Sequence, residues 1–422
     1  MYIGLDLGTS GCRAVAIDAA GALWAGAHTA LAPPRRTGES SQQAPELWWE
    51  AVMEVLARLA ENIPAAEVAA LAVDGTSATL LAADERGRPL GPALMYNDSR
   101  CRVEAREVAA VSPADSAARG AGAGLAKALY LARRHPGARH LLHQADWIGN
   151  RLCGRFGIAD ENNCLKLGFD PLQRCWPRWL GRLDLDPRLL PEVLPAGHPV
   201  GTLDRPIATR LGLPSEARVV AGTTDSTAAV LATGAAEPGD AVTSLGSTLV
   251  LKVVSPAPVF APRFGVYSHR VGGRWLAGGA SNSGGAVLLQ HFSPDQLQAM
   301  TPRLLPERPT GLDYYPLPAP GERFPVADPD LPPRLSPRPE DPVAFFQAML
   351  EGMSRIEAEG YQLLARLGAP YPRSVRTVGG GAANPAWRAM RQHLLGVPVI
   401  EPEHTEAAYG AALLARAGAH SE

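Results

Sequence analysis

One short pattern occurs twice in this chain, and few folds accommodate it. Tyr2 to Asp18 reads as strand, Gly-rich break and strand: Tyr2-Ile3-Gly4-Leu5-Asp6, then Leu7-Gly8-Thr9-Ser10-Gly11, then Cys12-Arg13-Ala14-Val15-Ala16-Ile17-Asp18. Ala241 to Val254 repeats it about 240 residues later, so that Leu7-Gly8-Thr9-Ser10 aligns with Leu245-Gly246-Ser247-Thr248. The repeat points to two related halves, each built round a β-hairpin. A chain of 422 residues is long enough for both.

Between and beyond the hairpins, apolar strands alternate with helices. Pro45 suits a first helical position, and Trp48, Val52, Val55, Leu56 and Leu59 then share one face, which predicts a helix over 45–60. Leu71-Ala72-Val73-Asp74-Gly75-Thr76-Ser77 reads as a buried strand ending in turn residues, and Leu80 to Gly87 continues as strand and turn. Residues 218–235 run from an apolar strand through Gly222-Thr223-Thr224-Asp225 into a helix. A Pro-rich, irregular excursion covers 302–343, and a long helix starts at Asp341-Pro342. Val375 to Val378 forms a strand running into Gly379-Gly380-Gly381, with Asn384-Pro385 as the cap and first turn of the next helix. A last helix spans about Thr405 to Arg416, closed by Gly418.

Composition removes several functions. A net charge of −2 gives no electrostatic case for nucleic acid or an anionic membrane. The three lysines are Lys127, Lys166 and Lys252, and none precedes Ser or Thr, so there is no P-loop. Five cysteines without CxxC spacing argue for reduced, packed thiols rather than disulfides or structural zinc. The ten histidines form neither HExxH nor a close cluster, so none is assigned to a metal. No leader and no membrane span is legible, and the expected location is the cytoplasm.

The candidate chemistry lies in the turns. Gly with hydroxyl residues presents backbone N–H and Oγ donors with little bulk, which suits phosphate oxygens, although either turn alone is also an ordinary β-turn. Two such turns could grip one polyphosphate from opposite sides. Asp6 stands at the first turn, where it could hold Mg²⁺ through water; Ser244 takes the matching place in the second. Asp225, where a strand meets a helix N-terminus, suits either an N-cap or a base accepting a sugar hydroxyl's proton. Gly379 to Asn384 lets the backbone approach a flat ring, or is a plain strand-to-helix turn.

These motifs, in this order, resemble the FGGY carbohydrate kinases, within the actin-like ATPase superfamily. Asp6 to Ser10 is similar to the family's first phosphate motif. Asp74 to Ser77, with Tyr96-Asn97-Asp98-Ser99-Arg100, is similar to its sugar-binding strand and W-x-D-x-R element. Gly222 to Asp225 resembles the segment with the catalytic aspartate, Glu237 to Asp240 the lead into the second phosphate hairpin, and Gly321-Glu322-Arg323-Phe324-Pro325 the G-E-R-x-P element. Gly379 to Pro385 with Trp387 resembles the adenosine motif, and Glu406 to Ala412 the closing helix.

The resemblance implies an α/β fold of two actin-like (ribonuclease H-like) domains, each a mixed five-stranded sheet flanked by helices, with a nucleotide and sugar cleft between them. The domains are expected over 1–230 and 231–422, with the helix near 405–420 returning to the first. It implies ATP and Mg²⁺ as cofactors. Gly246, Ser247 and Thr248 would hold the inner phosphates, and Thr9 and Ser10 the terminal one. Gly380, Gly381, Ala382, Ala383 and Asn384 would cover the adenosine, and the G-E-R-x-P element at 321–325 would make the Pro-rich excursion part of the cleft wall. Asp225 would activate the sugar's terminal hydroxyl and Asp6 would steer Mg²⁺, with Ser10, Gly11, Cys12, Arg13 and Ser77 on the sugar side.

Xylulose kinases usually carry Gln-Met-His where Asp74-Gly75-Thr76 stands, and glycerol kinases carry Arg-Glu-Thr in the same region. The combination of Asp74 to Ser77, Gln144-Ala145-Asp146-Trp147, Leu165-Lys166-Leu167-Gly168, Ala221 to Ser226 and Thr243 to Thr248 is similar to the short, xylulose-kinase-like branch of D-ribulose kinases. The expected activity is phosphorylation of D-ribulose to D-ribulose 5-phosphate by a monomer or homodimer. The competing expectations are a D-xylulose or polyol kinase, and a non-catalytic, ATPase-type sugar sensor.

Overall fold

The computed structural model describes residues 1–420 and divides into two compact units. Unit 1 holds Met1–Ala232, the short segment Arg270–Gly272 and the chain from Glu406; unit 2 holds Thr233–His269 and Gly273–Thr405.

Unit 1 is built on a six-stranded mixed sheet. Its strands are β1 (Tyr2–Leu7), β2 (Gly11–Ile17), β3 (Leu23–Ala30), β4 (Ala70–Gly75), β5 (Pro199–Thr202) and β6 (Arg218–Thr224), in the spatial order β5-β6-β4-β1-β2-β3. β1, β2 and β3 form an antiparallel meander, and β4 and β6 run parallel to β1. The five strands expected from the sequence are joined by β5, whose short irregular pairing with β6 extends the edge.

Period-two alternation gives this sheet two faces. Ile3, Leu5, Leu7, Cys12 and Ala14 point to one side and pack with α1 (Pro45–Ala60), whose Trp48, Val52, Val55, Leu56 and Leu59 are buried as their spacing predicts. Tyr2, Val15, Ile17, Ala70 and Ala72 point to the other, where the C-terminal helix Ala407–Ala419 packs on them. That helix closes unit 1 by very close backbone approach: a Cβ on Gly4 would stand 1.9 Å from the Ala408 oxygen. It also runs past Gly418, which the sequence marked as its stop. Gly418 is instead a close-approach residue, since a Cβ there would meet the Gly197 oxygen at 2.2 Å.

Unit 2 repeats the plan. β7 (Asp240–Leu245), β8 (Leu249–Ser255), β9 (Tyr267–Val271), β10 (Arg274–Ser281), β11 (Ser374–Val378) and β12 (Val399–Ile400) are ordered β9-β10-β8-β7-β11-β12. Again a hairpin and a third antiparallel strand lie on one side, and strands parallel to the first lie on the other. β7 thus corresponds to β1 and β11 to β4. The long helix Pro342–Arg366 buries Phe346, Met349, Met353 and Ile356 in the unit 2 core. The Pro-rich excursion folds back on this unit. Glu322 there is buried, and its carboxylate accepts from Asn282 N at 2.8 Å, Arg323 N at 2.9 Å and Tyr315 Oη at 3.2 Å. Glu322 thus anchors the excursion to unit 2, because a buried carboxyl group needs such hydrogen-bond partners.

Candidate active site

In unit 1 the carboxyl ends of three neighbouring parallel strands carry three carboxyl groups. Asp6 ends β1 and Asp74 ends β4, and the two are direct register partners. On the other side of β4, β6 carries Thr223 opposite Asp74. Asp225 follows two residues later as the first residue of the helix Asp225–Ala232. A register shift between Val220 and Thr223 turns the end of β6. Gly222 permits it, for a Cβ there would lie 1.7 Å from the Val73 oxygen. The carboxyl ends of parallel strands are where open α/β sheets hold ligands.

Charge makes this cluster distinctive. Burial pushes the Asp6 carboxyl above its ordinary value, a hydrogen bond with Asp74 pulls it back, Asp225 raises it and Arg13 lowers it. Asp74 is fully buried, and burial followed by the charge of Asp6 pushes its carboxyl well up. No N–H or hydroxyl of the described residues reaches either Asp74 oxygen. Two acceptors facing each other need a proton between them, so Asp74 carries it and Asp6 is the ionised partner. Asp225 Oδ1 accepts from Ser226 N at 2.6 Å. Arg13 shares the face of Asp6 and pairs with Glu406 at the start of the C-terminal helix.

The other unit 1 candidates divide by where the hairpin sends them. Gly8 N donates to Gly11 O at 3.0 Å, closing a turn that leaves Ser10 exposed and Thr9 and Gly11 half-buried. Cys12 does not belong with them. Its thiol is 1% exposed and points to the α1 face of the sheet, opposite to Asp6, where burial pushes its pKa up. It is a core residue; the one-residue step from Arg13 flips it to the other side. Ser77 stands just beyond β4, with its hydroxyl buried and unpartnered.

For magnesium the relevant observation is the donor set. Among the described residues no cluster of three or more His, Cys, Asp or Glu side chains is poised on a metal. Mg²⁺ usually takes one or two carboxylates and keeps its waters, so an ionised Asp6 beside the donor-free Asp74 fits it as a water-bridged partner.

Unit 2 holds a cavity of about 700 Å³. Gly246 and Ser247 of the β7–β8 turn line it, together with Gly380, Gly381, Ala383 and Asn384 from the segment after β11. These six arise from two motifs far apart in sequence, joined because β7 and β11 are paired and both end here. Thr248 and Ala382 stand in the same two turns but are not among the lining residues. Asn384 is the helix cap the sequence predicts: its Oδ1 accepts from Trp387 N at 3.0 Å and its amide nitrogen donates to Thr301 Oγ1 at 3.4 Å. The apolar walls, Leu288, Leu297, Phe346 and Leu350, come from three helices, Phe346 and Leu350 one turn apart on the same one, and no local pattern shows that the three helices meet. Volume and mixed lining are those of a small-molecule pocket.

The sequence singled out Asp74 only as part of a strand motif and left it out of the candidate residues. The signal available was an acid ending an apolar run, as at Asp6. What hid it was that β1 and β4 are parallel neighbours, which only the crossover decides.

Comparison with known proteins bears on these features together. Residues 1–232 match the N-terminal domain, and residues 241–419 the C-terminal domain, of the FGGY family of carbohydrate kinases. The chain belongs to this family. The xylulose kinase of Escherichia coli is 28% identical over 444 residues, covering 100% of this chain and 91% of that protein. That of Streptomyces coelicolor is 29% identical, covering 98% and 86%. The crystal structure of a xyloylose kinase from Brucella ovis superposes with a TM-score of 0.89 at 27% identity, covering 99% of this chain and 90% of that one. This FGGY chain is thus a carbohydrate kinase of mixed α/β, two-domain fold. None of its described helices is long and apolar enough to cross a membrane.

Proposed function

We propose that this protein transfers the terminal phosphoryl group of ATP to the terminal hydroxyl of a ketopentose, and that D-ribulose is its substrate. The observation that carries the reading is the grouping of Asp6, Asp74 and Asp225 at the ends of adjacent parallel strands. Phosphoryl transfer to an alcohol needs a base for the hydroxyl proton and fixed charge near the phosphates. Asp225, at a helix N-terminus that favours its ionised form, takes the proton as the sugar oxygen bonds to phosphorus. The bond from that phosphorus to the bridging oxygen breaks, and ADP leaves. The unit 2 cavity suits the nucleoside, with Gly246 and Ser247 toward the phosphates. Thr9 and Ser10 offer donors for the terminal phosphate, and Ser10, Gly11, Arg13 and Ser77 serve the sugar side. Bound Mg²⁺ supplies neutralisation of phosphate charge, with Asp6 as its water-bridged holder.

Two observations bear on the sugar. Asp74-Gly75-Thr76 stands where xylulose kinases usually carry Gln-Met-His, which favours D-ribulose. The similarity to proteins named xylulose kinase favours D-xylulose as the second reading. ADP release measured with D-ribulose, D-xylulose, L-ribulose and glycerol at matched concentration decides between them. A higher kcat/KM for D-xylulose overturns the substrate assignment. ADP release that does not depend on any sugar overturns the kinase reading.

A further inference from the structure

Lys127 lies within the helix Gly124–Arg134, is 0% exposed and makes no salt bridge among the described residues. Its ammonium donates to three carbonyl oxygens instead: Ala78 at 2.8 Å, Met95 at 2.7 Å and Tyr96 at 3.4 Å. These belong to two separate segments. Ala78 follows Ser77 and has φ +63°, a left-handed conformation that costs a non-glycine residue about 1 kcal/mol or more. Met95 and Tyr96 lead into Asn97. An ammonium suits this role, because its three N–H bonds diverge from one point whereas a guanidinium presents a flat fork.

A second strap joins the same segments. Tyr96 N donates to Thr79 Oγ1 at 2.9 Å, and Thr79 Oγ1 shares a 2.6 Å hydrogen bond with Thr76 Oγ1. Thr76 in turn donates to Gln144 Oε1 from its backbone N at 3.1 Å and from its hydroxyl at 2.9 Å. Within this tied assembly three buried polar atoms lack a hydrogen-bond partner among the described residues: Ser77 Oγ, Asn97 Oδ1 and Gln144 Nε2. Buried polar atoms are seldom left unmatched, and such a set is what a polyhydroxylated ligand satisfies.

We propose that Lys127 is the positioning residue of the sugar side, fixing the Ser77–Ala78 turn against the Met95–Asn97 segment so that Ser77 and Asn97 meet the sugar hydroxyls in one geometry. It touches no substrate itself. The inference rests on the kinase reading above and adds which residue sets sugar selectivity.

The test compares Lys127→Met, which keeps length and removes all three donors, and Thr79→Val, which cuts only the second strap. Each is assayed beside the wild type with D-ribulose, D-xylulose and ATP, and thermal unfolding is recorded. Lys127→Met should raise the sugar KM at least about tenfold and narrow the preference between the two pentuloses. Its KM for ATP should stay within about twofold of wild type, because the unit 2 cavity is untouched. Thr79→Val should move the sugar KM the same way by less. A folded Lys127→Met with wild-type sugar KM and preference overturns the proposal. Should Lys127→Met fail to fold, Thr79→Val decides alone, and an unchanged sugar KM there overturns it. A wild type that turns over no sugar overturns the kinase reading and this proposal together; an active wild type with unchanged variants overturns only the role of Lys127.

Discussion

Asp6 and Asp74 stand side by side as register partners on neighbouring parallel strands, and among the described residues no N–H or hydroxyl donates to Asp74, whose carboxyl shares a hydrogen bond with Asp6. Asp74→Asn replaces the shared proton with an amide that can donate to Asp6 at any pH. Because the native Asp74 carboxyl is raised by burial and by Asp6, its contribution to stability is present at low pH and lost as pH rises through its folded value. The melting temperature of Asp74→Asn should therefore gain on the wild type as pH increases, with turnover kept within about tenfold. A gain that shrinks with pH would mean that Asp74 is ionised in the native state.

Asp225 is the first residue of its helix and the candidate base. Asp225→Asn keeps the shape and removes basicity, so kcat should fall by about 10² to 10⁴. Nucleotide affinity, followed by titration with a fluorescent ADP analogue, should stay near wild type. Turnover close to wild type would remove Asp225 from the chemistry.

The helix behind Asp225 is held by backbone contact. A Cβ on Gly410 would lie 1.8 Å from the Ala228 oxygen, so Gly410→Ala must push the C-terminal helix off the helix that Asp225 heads. The expected loss is about 3 kcal/mol in denaturant unfolding, together with a lower kcat. An unaffected unfolding midpoint would show that the two helices can separate at no cost.

Gly380 offers the opposite case. A Cβ there meets nothing within 4 Å, although the residue lines the unit 2 cavity. Gly380→Val should fold normally and fill part of that cavity, raising the KM for ATP about tenfold or more while the sugar KM stays unchanged. Equal effects on both substrates would move the nucleotide elsewhere.

A buried cluster beside the sheet of unit 1 makes stability depend on pH. Burial pushes Asp146 up to about 7 and Asp160, also raised by Asp146, to about 7, while burial holds His143 down to about 4. For the acids, stability is complete below their unfolded values and is lost as pH rises through about 7. For His143 the contribution is lost as pH falls from its ordinary range toward about 4. Between pH ~6.5 and ~8 the acids draw the melting temperature down as pH rises, while Lys127, which burial holds down to about 7, acts in the opposite sense, so Asp146→Asn should fall less, or rise more, than the wild type across that window. Parallel curves would place the titration elsewhere.

Sequence alone settled what depends on near neighbours. Hairpin turns follow from Gly and hydroxyl residues between alternating runs, and the helix over 45–60 follows from the spacing of Trp48, Val52, Val55 and Leu59. The cap at Asn384 follows from its pairing with Pro385. The duplicated hairpin made two related halves legible before any contact was known. Distances across the chain were settled otherwise. That Asp74 lies against Asp6, that Cys12 turns to the opposite face, that Gly418 is a contact rather than a stop, and that Phe346 and Leu288 wall one cavity all depend on which strands pair and which helices cross. Local pattern fixes backbone shape because its forces act within a few residues, whereas burial and shared protons arise only when distant segments have excluded water between them.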